Sequence, residues 1–202
     1  MSADFSDSPY YRGCFAAKCA ISAVFTAAVA VWCMFSMEHP LEAAAVFTPY
    51  FVFDVVADAA LDKIWRPRRR NFEFAMLVHH VVGIAAMYHM PPHELCITVC
   101  RLVTVAELST PLLYLANYYR FVRMREAPLA VSSAMLVAWP ILRLASPSVG
   151  FVLQVQAYYG GSAEHCGVHN LFITLGYIAM NAYFLTLIWR RHQRNRMSAK
   201  AE

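Results

Sequence analysis

Charge is scarce in this chain. Asp, Glu, Lys and Arg make up 15% of its 202 residues, whereas a soluble domain carries about a quarter. That deficit excludes an ordinary water-soluble protein. Other absences narrow the class further. The six cysteines (Cys14, Cys19, Cys33, Cys96, Cys100 and Cys166) show no zinc-site spacing with histidine, so no metal site is expected. Cys96 and Cys100 share a helix face and read as small apolar packing residues. Cys166 alone falls in an outer loop, so no disulfide framework is expected. The first apolar run lacks the short core and small-residue cleavage pattern of a signal peptide. The residues from Met197 to Glu202 form no retrieval or prenylation signal.

What the chain has is apolar length. It is 59% hydrophobic with a mean hydropathy of +0.43, in stretches able to cross a hydrocarbon core of roughly 30 Å. This predicts an all-α polytopic membrane protein, with about six transmembrane helices bundled around a central cavity. The expected spans are Phe15–Met37, Ala43–Asp62, Phe72–Met90, Glu94–Tyr118, Pro128–Pro147 and Val168–Trp189. A tail over residues 1–14, a six-span domain over 15–189 and a basic tail over 190–202 complete the expected organisation.

The basic residues sort by loop. Arg12 and Lys18 flank or enter the first span from its N-terminal side. Lys63, Arg66, Arg68, Arg69 and Arg70 lie between spans two and three, and Arg120, Arg123 and Arg125 between spans four and five. Arg190, Arg191, Arg194, Arg196 and Lys200 follow the last span. The intervening loops (Glu38–Glu42, Pro91–His93 and Ser148–Gly167) carry none. Such alternation is the signature of the positive-inside rule and predicts that both termini are cytoplasmic. It also explains the net charge of +4 without a nucleic-acid partner; attraction to anionic lipid is a secondary expectation.

Ionisable groups at membrane depth are costly and usually face the protein interior. Spans two and three each carry two: Asp54 and Asp58, then His79 and His80. With Asp62 and Asn71 as the cytoplasmic ends, Asp54 and His79 both lie roughly 12 Å inward at about 1.5 Å rise per residue. Asp58 lies shallower on the same face. Glu107 falls near the middle of span four, and Tyr177 and Asn181 near the middle of span six. Together these define a candidate polar site. Adjacent helix positions point about 100° apart, so one histidine is expected to face the site and the other to serve as a support. Pro111 cannot bond the Glu107 carbonyl; a bend is expected there, with Ser109 and Thr110 re-satisfying backbone groups. Arg101 and Arg143 lie nearer the outer side, and Pro140 is expected to bend span five close to Arg143. Outward snorkelling is favoured for each arginine; pairing with Glu107 or a lipid phosphate is the alternative. Tyr50 and Phe53 read as packing residues.

These residues carry a resemblance. Tyr50-Phe51-Val52-Phe53-Asp54, Leu77-Val78-His79-His80-Val81-Val82-Gly83, Glu107-Leu108-Ser109-Thr110-Pro111 with Asn117, Trp139-Pro140-Ile141-Leu142-Arg143 with Pro147, and Asn181-Ala182-Tyr183-Phe184 follow one another as in the TLC-domain family. That family includes ceramide synthases, translocating-chain-associated membrane proteins and smaller TLC-domain proteins implicated in membrane lipid composition. The resemblance implies a helical bundle enclosing a site for an acyl or lipid chain. Ceramide synthases follow their His-His pair with a His-Asp motif and a second Asp three residues on. With Glu107 set against the first acid, this chain has Ala106 and Thr110 where the motif's His and second Asp fall. It is therefore more similar to the small TLC-domain proteins.

The resemblance implies membrane lipids or a fatty acyl chain as partners, and the endoplasmic reticulum or another endomembrane rather than the plasma membrane as location. The leading expectation is a protein that binds acyl chains and influences lipid composition without a cofactor. The second is a histidine-dependent lipid acyltransferase using acyl-CoA. The third is a proton-coupled transporter, disfavoured because no inverted repeat is evident. Oligomeric state is left open.

Overall fold

The computed structural model describes residues 9–65, 71–121, 127–162 and 165–200, and every regular element among them is helical. Helix α1 covers Pro9–Ser36, α2 Pro40–Trp65 and α3 Asn71–His89. The fourth crossing is composite: α4 (Glu94–Thr104), a 3₁₀ segment (Val105–Ser109) and α5 (Thr110–Phe121). The fifth joins α6 (Ala127–Trp139), a π segment (Pro140–Ala145) and α7 (Ser146–Tyr159), and α8 (Val168–Lys200) is the sixth. Five of these crossings are long and apolar enough to span a membrane. The remaining one, α3, has 19 residues, about 28 Å of helix.

The burial pattern is inverted relative to a soluble protein. Val24, Phe35 and Phe172 are 70% exposed or more, while Lys18, Asp54, His79, His80, Glu107 and Arg143 are all 9% exposed or less. In water this would forfeit the hydrophobic contribution of the exposed side chains and desolvate charges as well. In lipid the apolar exterior costs nothing, so the pattern identifies a multi-pass integral membrane protein.

Two boundaries differ from the sequence expectation. Pro147 does not end the fifth crossing; it stands at the start of α7, where its missing N–H is tolerated, and the helix runs on to Tyr159. The loop between α7 and α8 is thereby reduced to the stretch from Gly160 to Gly167. Helix α8 likewise continues past Trp189 to Lys200. Arg66, Arg68, Arg69, Arg70, Arg123 and Arg125 lie outside the described residues, as do both chain ends.

The short outer loop holds an unexpected cross-link: Cys96, in the first turn of α4, is disulfide-bonded to Cys166. The reading of Cys96 as a packing residue and of Cys166 as solitary is therefore corrected. Seventy residues separate the two, and only the packing of α4 against α7 and of α7 against α8 brings them together. Gly167 helps to present Cys166. Its φ of 81° belongs to the left-handed region that glycine tolerates, and an added Cβ would lie 2.7 Å from His169 Cε1.

Candidate functional site

The fourth crossing is interrupted by its own sequence. Pro111 has no N–H for the Glu107 carbonyl; the Thr110 N–H takes that carbonyl instead, three residues back. The Ser109 hydroxyl donates to the Ala106 carbonyl at 2.8 Å, and Thr104 to Arg101 at 3.0 Å. A period of three stacks residues i and i+3, which sets Thr110 over Glu107 and lets its hydroxyl donate to Glu107 Oε2 at 2.6 Å.

A second irregularity meets the first. Pro140 opens the π segment, whose end is marked by the Ser146 N–H bonding to the Ile141 carbonyl five residues back. Single-turn π segments are frequent at functional positions because they re-aim side chains, and here Arg143 is turned inward. Its guanidinium donates to Ser109 Oγ (2.6 Å), Thr110 Oγ1 (2.5 Å) and Glu107 Oε2 (3.2 Å). It also lies 4.7 Å from the centre of the Trp139 ring, a cation–π arrangement. The indole in turn donates to the Asn181 carbonyl at 3.0 Å. Outward snorkelling of Arg143 is therefore wrong: a guanidinium buried beside a buried carboxylate gains more by pairing than by reaching for distant water.

His79 reaches the same acid, with Nε2 4.0 Å from Glu107 Oε1 and its ring 5.4 Å from that of Tyr177 on α8. His80 turns to α2 instead and stacks on Phe51, with centroids 4.2 Å apart and planes 5° apart. Both histidines are thus interior, one toward the interrupted fourth crossing and the other toward α2.

Asp54 forms a second charged cluster beside the first. Lys18 Nζ lies 2.8 Å from its Oδ1; Tyr114 donates to that oxygen at 2.6 Å and Ser22 at 3.2 Å. Tyr50 and Tyr114 share a hydrogen bond of 2.9 Å, and Lys18 lies 4.7 Å from the Tyr114 ring centre. His80 is within the electrostatic influence of both Asp54 and Glu107, which links the clusters. Among the described side chains of the two clusters, Lys18 and Arg143 stand against Asp54 and Glu107.

Spans two and three do pack together, as the depth arithmetic required. Asp54, His79, His80, Glu107, Ser109, Thr110, Arg143 and Tyr177 meet around this centre. Asn181 is fully buried, and its amide donates to the Tyr177 carbonyl at 2.8 Å; it supports α8 without touching either acid. Arg101 stands apart, donating to the Met37 carbonyl at the end of α1. The side chain of Asp58 lies outside the described residues.

Lys18, Ser22, Tyr50 and Tyr114 were not among the expected site residues. Lys18 looked topological because it belongs to the basic set, yet it is nine residues into α1, about 14 Å along the axis. That depth was the available signal. Tyr50 looked like packing, and its stacking on Phe25 at 4.7 Å fits that reading, but its hydroxyl joins the network.

The sequence was compared with known proteins. No curated protein and no solved structure matches it. The sequence model of the TLC domain matches residues 14–190, which takes in all six crossings and both charged clusters, and the chain therefore belongs to the TLC-domain family.

Proposed function

We propose that this protein binds a lipid or fatty acyl chain inside the bundle, with the charged centre anchoring its polar end, and so influences membrane lipid composition. The observation that carries the reading is the buried centre in which His79 Nδ1, His80 Nδ1 and the Tyr177 hydroxyl have no hydrogen-bond partner among the described residues. Buried polar groups are nearly always satisfied, so three such atoms beside two ion pairs are suited to an ester, amide or hydroxyl group.

A second reading is favoured by one contact. His79 beside Glu107 is an imidazole oriented by an acid, the arrangement for a general base or a transient acyl carrier; acyl-CoA would then be the acyl donor. Lipid mass spectrometry of the purified protein separates the readings. Intact lipid carried by wild type and lost from His79→Ala and His80→Ala supports binding. A covalent acyl adduct on a histidine supports transfer. Wild-type protein carrying neither would overturn both.

The cytoplasmic placement of both termini is part of this proposal. The disulfide between Cys96 and Cys166 lies at the end away from the basic clusters, and disulfides persist in oxidising compartments. An endomembrane with an oxidising lumen, such as the endoplasmic reticulum, fits both facts.

A further inference from the structure

One face of α8 carries a file of polar side chains with no role in the charged centre. Asn170, Thr174, Tyr177 and Asn181 are spaced by four, three and four residues, which keeps them within an arc of about 60° on an α-helix. All four are 9% exposed or less. Gln154 of α7, 2% exposed, joins them by donating to Thr174 Oγ1 at 3.1 Å. The file begins one turn after the disulfide-bonded Cys166, whose carbonyl accepts the Asn170 amide at 2.5 Å. It passes the charged centre where the Tyr177 ring meets that of His79.

The hydrogen bonding of this file is one-sided. Each amide nitrogen is used: Asn170 on Cys166, Gln154 on Thr174 and Asn181 on Tyr177. Each amide oxygen is left without a partner among the described residues, as are the Tyr177 hydroxyl and His79 Nδ1. Five buried polar atoms in one file are thus open, and three of them only accept. The three amide oxygens need an occupant that donates hydrogen bonds and fits between helices, which describes water; the Tyr177 hydroxyl and His79 Nδ1 are where the file meets the proposed lipid site. Buried waters take this role where several polar groups converge.

We propose that the α7–α8 seam holds a file of ordered water running from the disulfide-bonded end to His79, giving the His79–Glu107 pair hydration and proton exchange from that side. The inference shares Tyr177 and His79 with the lipid reading but does not rest on it, since the three amide oxygens call for water along the seam whether the centre binds or transforms its ligand.

Radiolytic hydroxyl-radical footprinting of the full chain in lipid nanodiscs tests it, because side chains beside bound water are oxidised even inside a bundle. Three tyrosines serve as internal standards. Tyr159 is 82% exposed; Tyr114 is buried at 7% with its hydroxyl held by Asp54; Tyr177 is buried at 9% with its hydroxyl open. The expected result is Tyr177 oxidised well above Tyr114, with the Gln154→Leu/Asn170→Leu variant bringing Tyr177 down to the Tyr114 rate and leaving Tyr159 unchanged. Tyr177 as slow as Tyr114 in wild type would overturn the proposal without reference to any variant. Undiminished oxidation of Tyr177 in a folded variant would overturn the route from the disulfide-bonded end.

Discussion

Replacing Arg143 by Met should be among the most damaging single changes in the chain, and removing Glu107 as well should add much less than the Glu107 change costs alone. Arg143 makes three hydrogen bonds, to Ser109, Thr110 and Glu107, and the side chains of Arg143 and Glu107 are 6% and 12% exposed. Loss of one partner strands the other as an uncompensated buried charge, which costs about 3–5 kcal/mol. Glu107 would keep only the Thr110 hydroxyl and His79, the latter 4.0 Å away. Arg143→Met is thus expected to cost about 3–5 kcal/mol, and Glu107→Gln a similar amount because the guanidinium then lacks its counter-charge. For a chain of this size a cooperative transition falls by about 2–4 °C per kcal/mol, so each single variant should lose on the order of 10 °C. The double variant strands no charge and should cost less than the sum of the singles by about 2–3 kcal/mol, the upper range of coupling between contacting residues. Thermal unfolding of the four proteins in one detergent completes the cycle. Additive losses would refute the claim that the two charges are held by each other.

Three further outcomes follow from the same geometry. Alkylation of the denatured protein should block four thiols (Cys14, Cys19, Cys33 and Cys100) before reduction and six after it; six before reduction would remove the cross-link, whose loss should cost at most about 4 kcal/mol for a 70-residue separation. A cysteine at position 162, in the outer loop, should react with a membrane-impermeant maleimide only from the non-cytoplasmic side; reaction from the cytosol alone would invert the topology. Purified protein given acyl-CoA and sphingoid base should form no ceramide, because Ala106 and Thr110 stand where ceramide synthases place further polar groups; histidine-dependent ceramide formation would make the acyltransferase reading the leading one.

Much of the architecture was legible because membrane insertion imposes one-dimensional rules. Apolar length gave the helices, and the rarity of ionisable groups in apolar runs pointed to Asp54, His79, His80 and Glu107, all of which are buried. Helix adjacency beyond that is not a one-dimensional property. Lys18 meets Asp54 because α1 packs on α2 and α5, and no local pattern shows which helix α1 will choose. Cys96 and Cys166 pair for the same kind of reason, through α7 standing between their helices. Prolines misled in one case and helped in another. Pro147 looked like a terminator but begins a helix, whereas Pro111 beside Glu107 signalled an irregularity, and a 3₁₀ segment lies there. The π segment that turns Arg143 inward depends on Pro140, yet the direction of Arg143 is set by Glu107 on another helix.

The central claim is that an acyl chain enters the bundle and meets its charged centre. Photo-crosslinking with a fatty acyl probe carrying a diazirine near its polar end, followed by peptide mass spectrometry, tests this most directly. The account predicts adducts on Phe51, His80 or Tyr177, which are interior, and their loss in competition with unlabelled lipid. Adducts confined to the exposed Val24, Phe35, Val137 and Phe172 would contradict it.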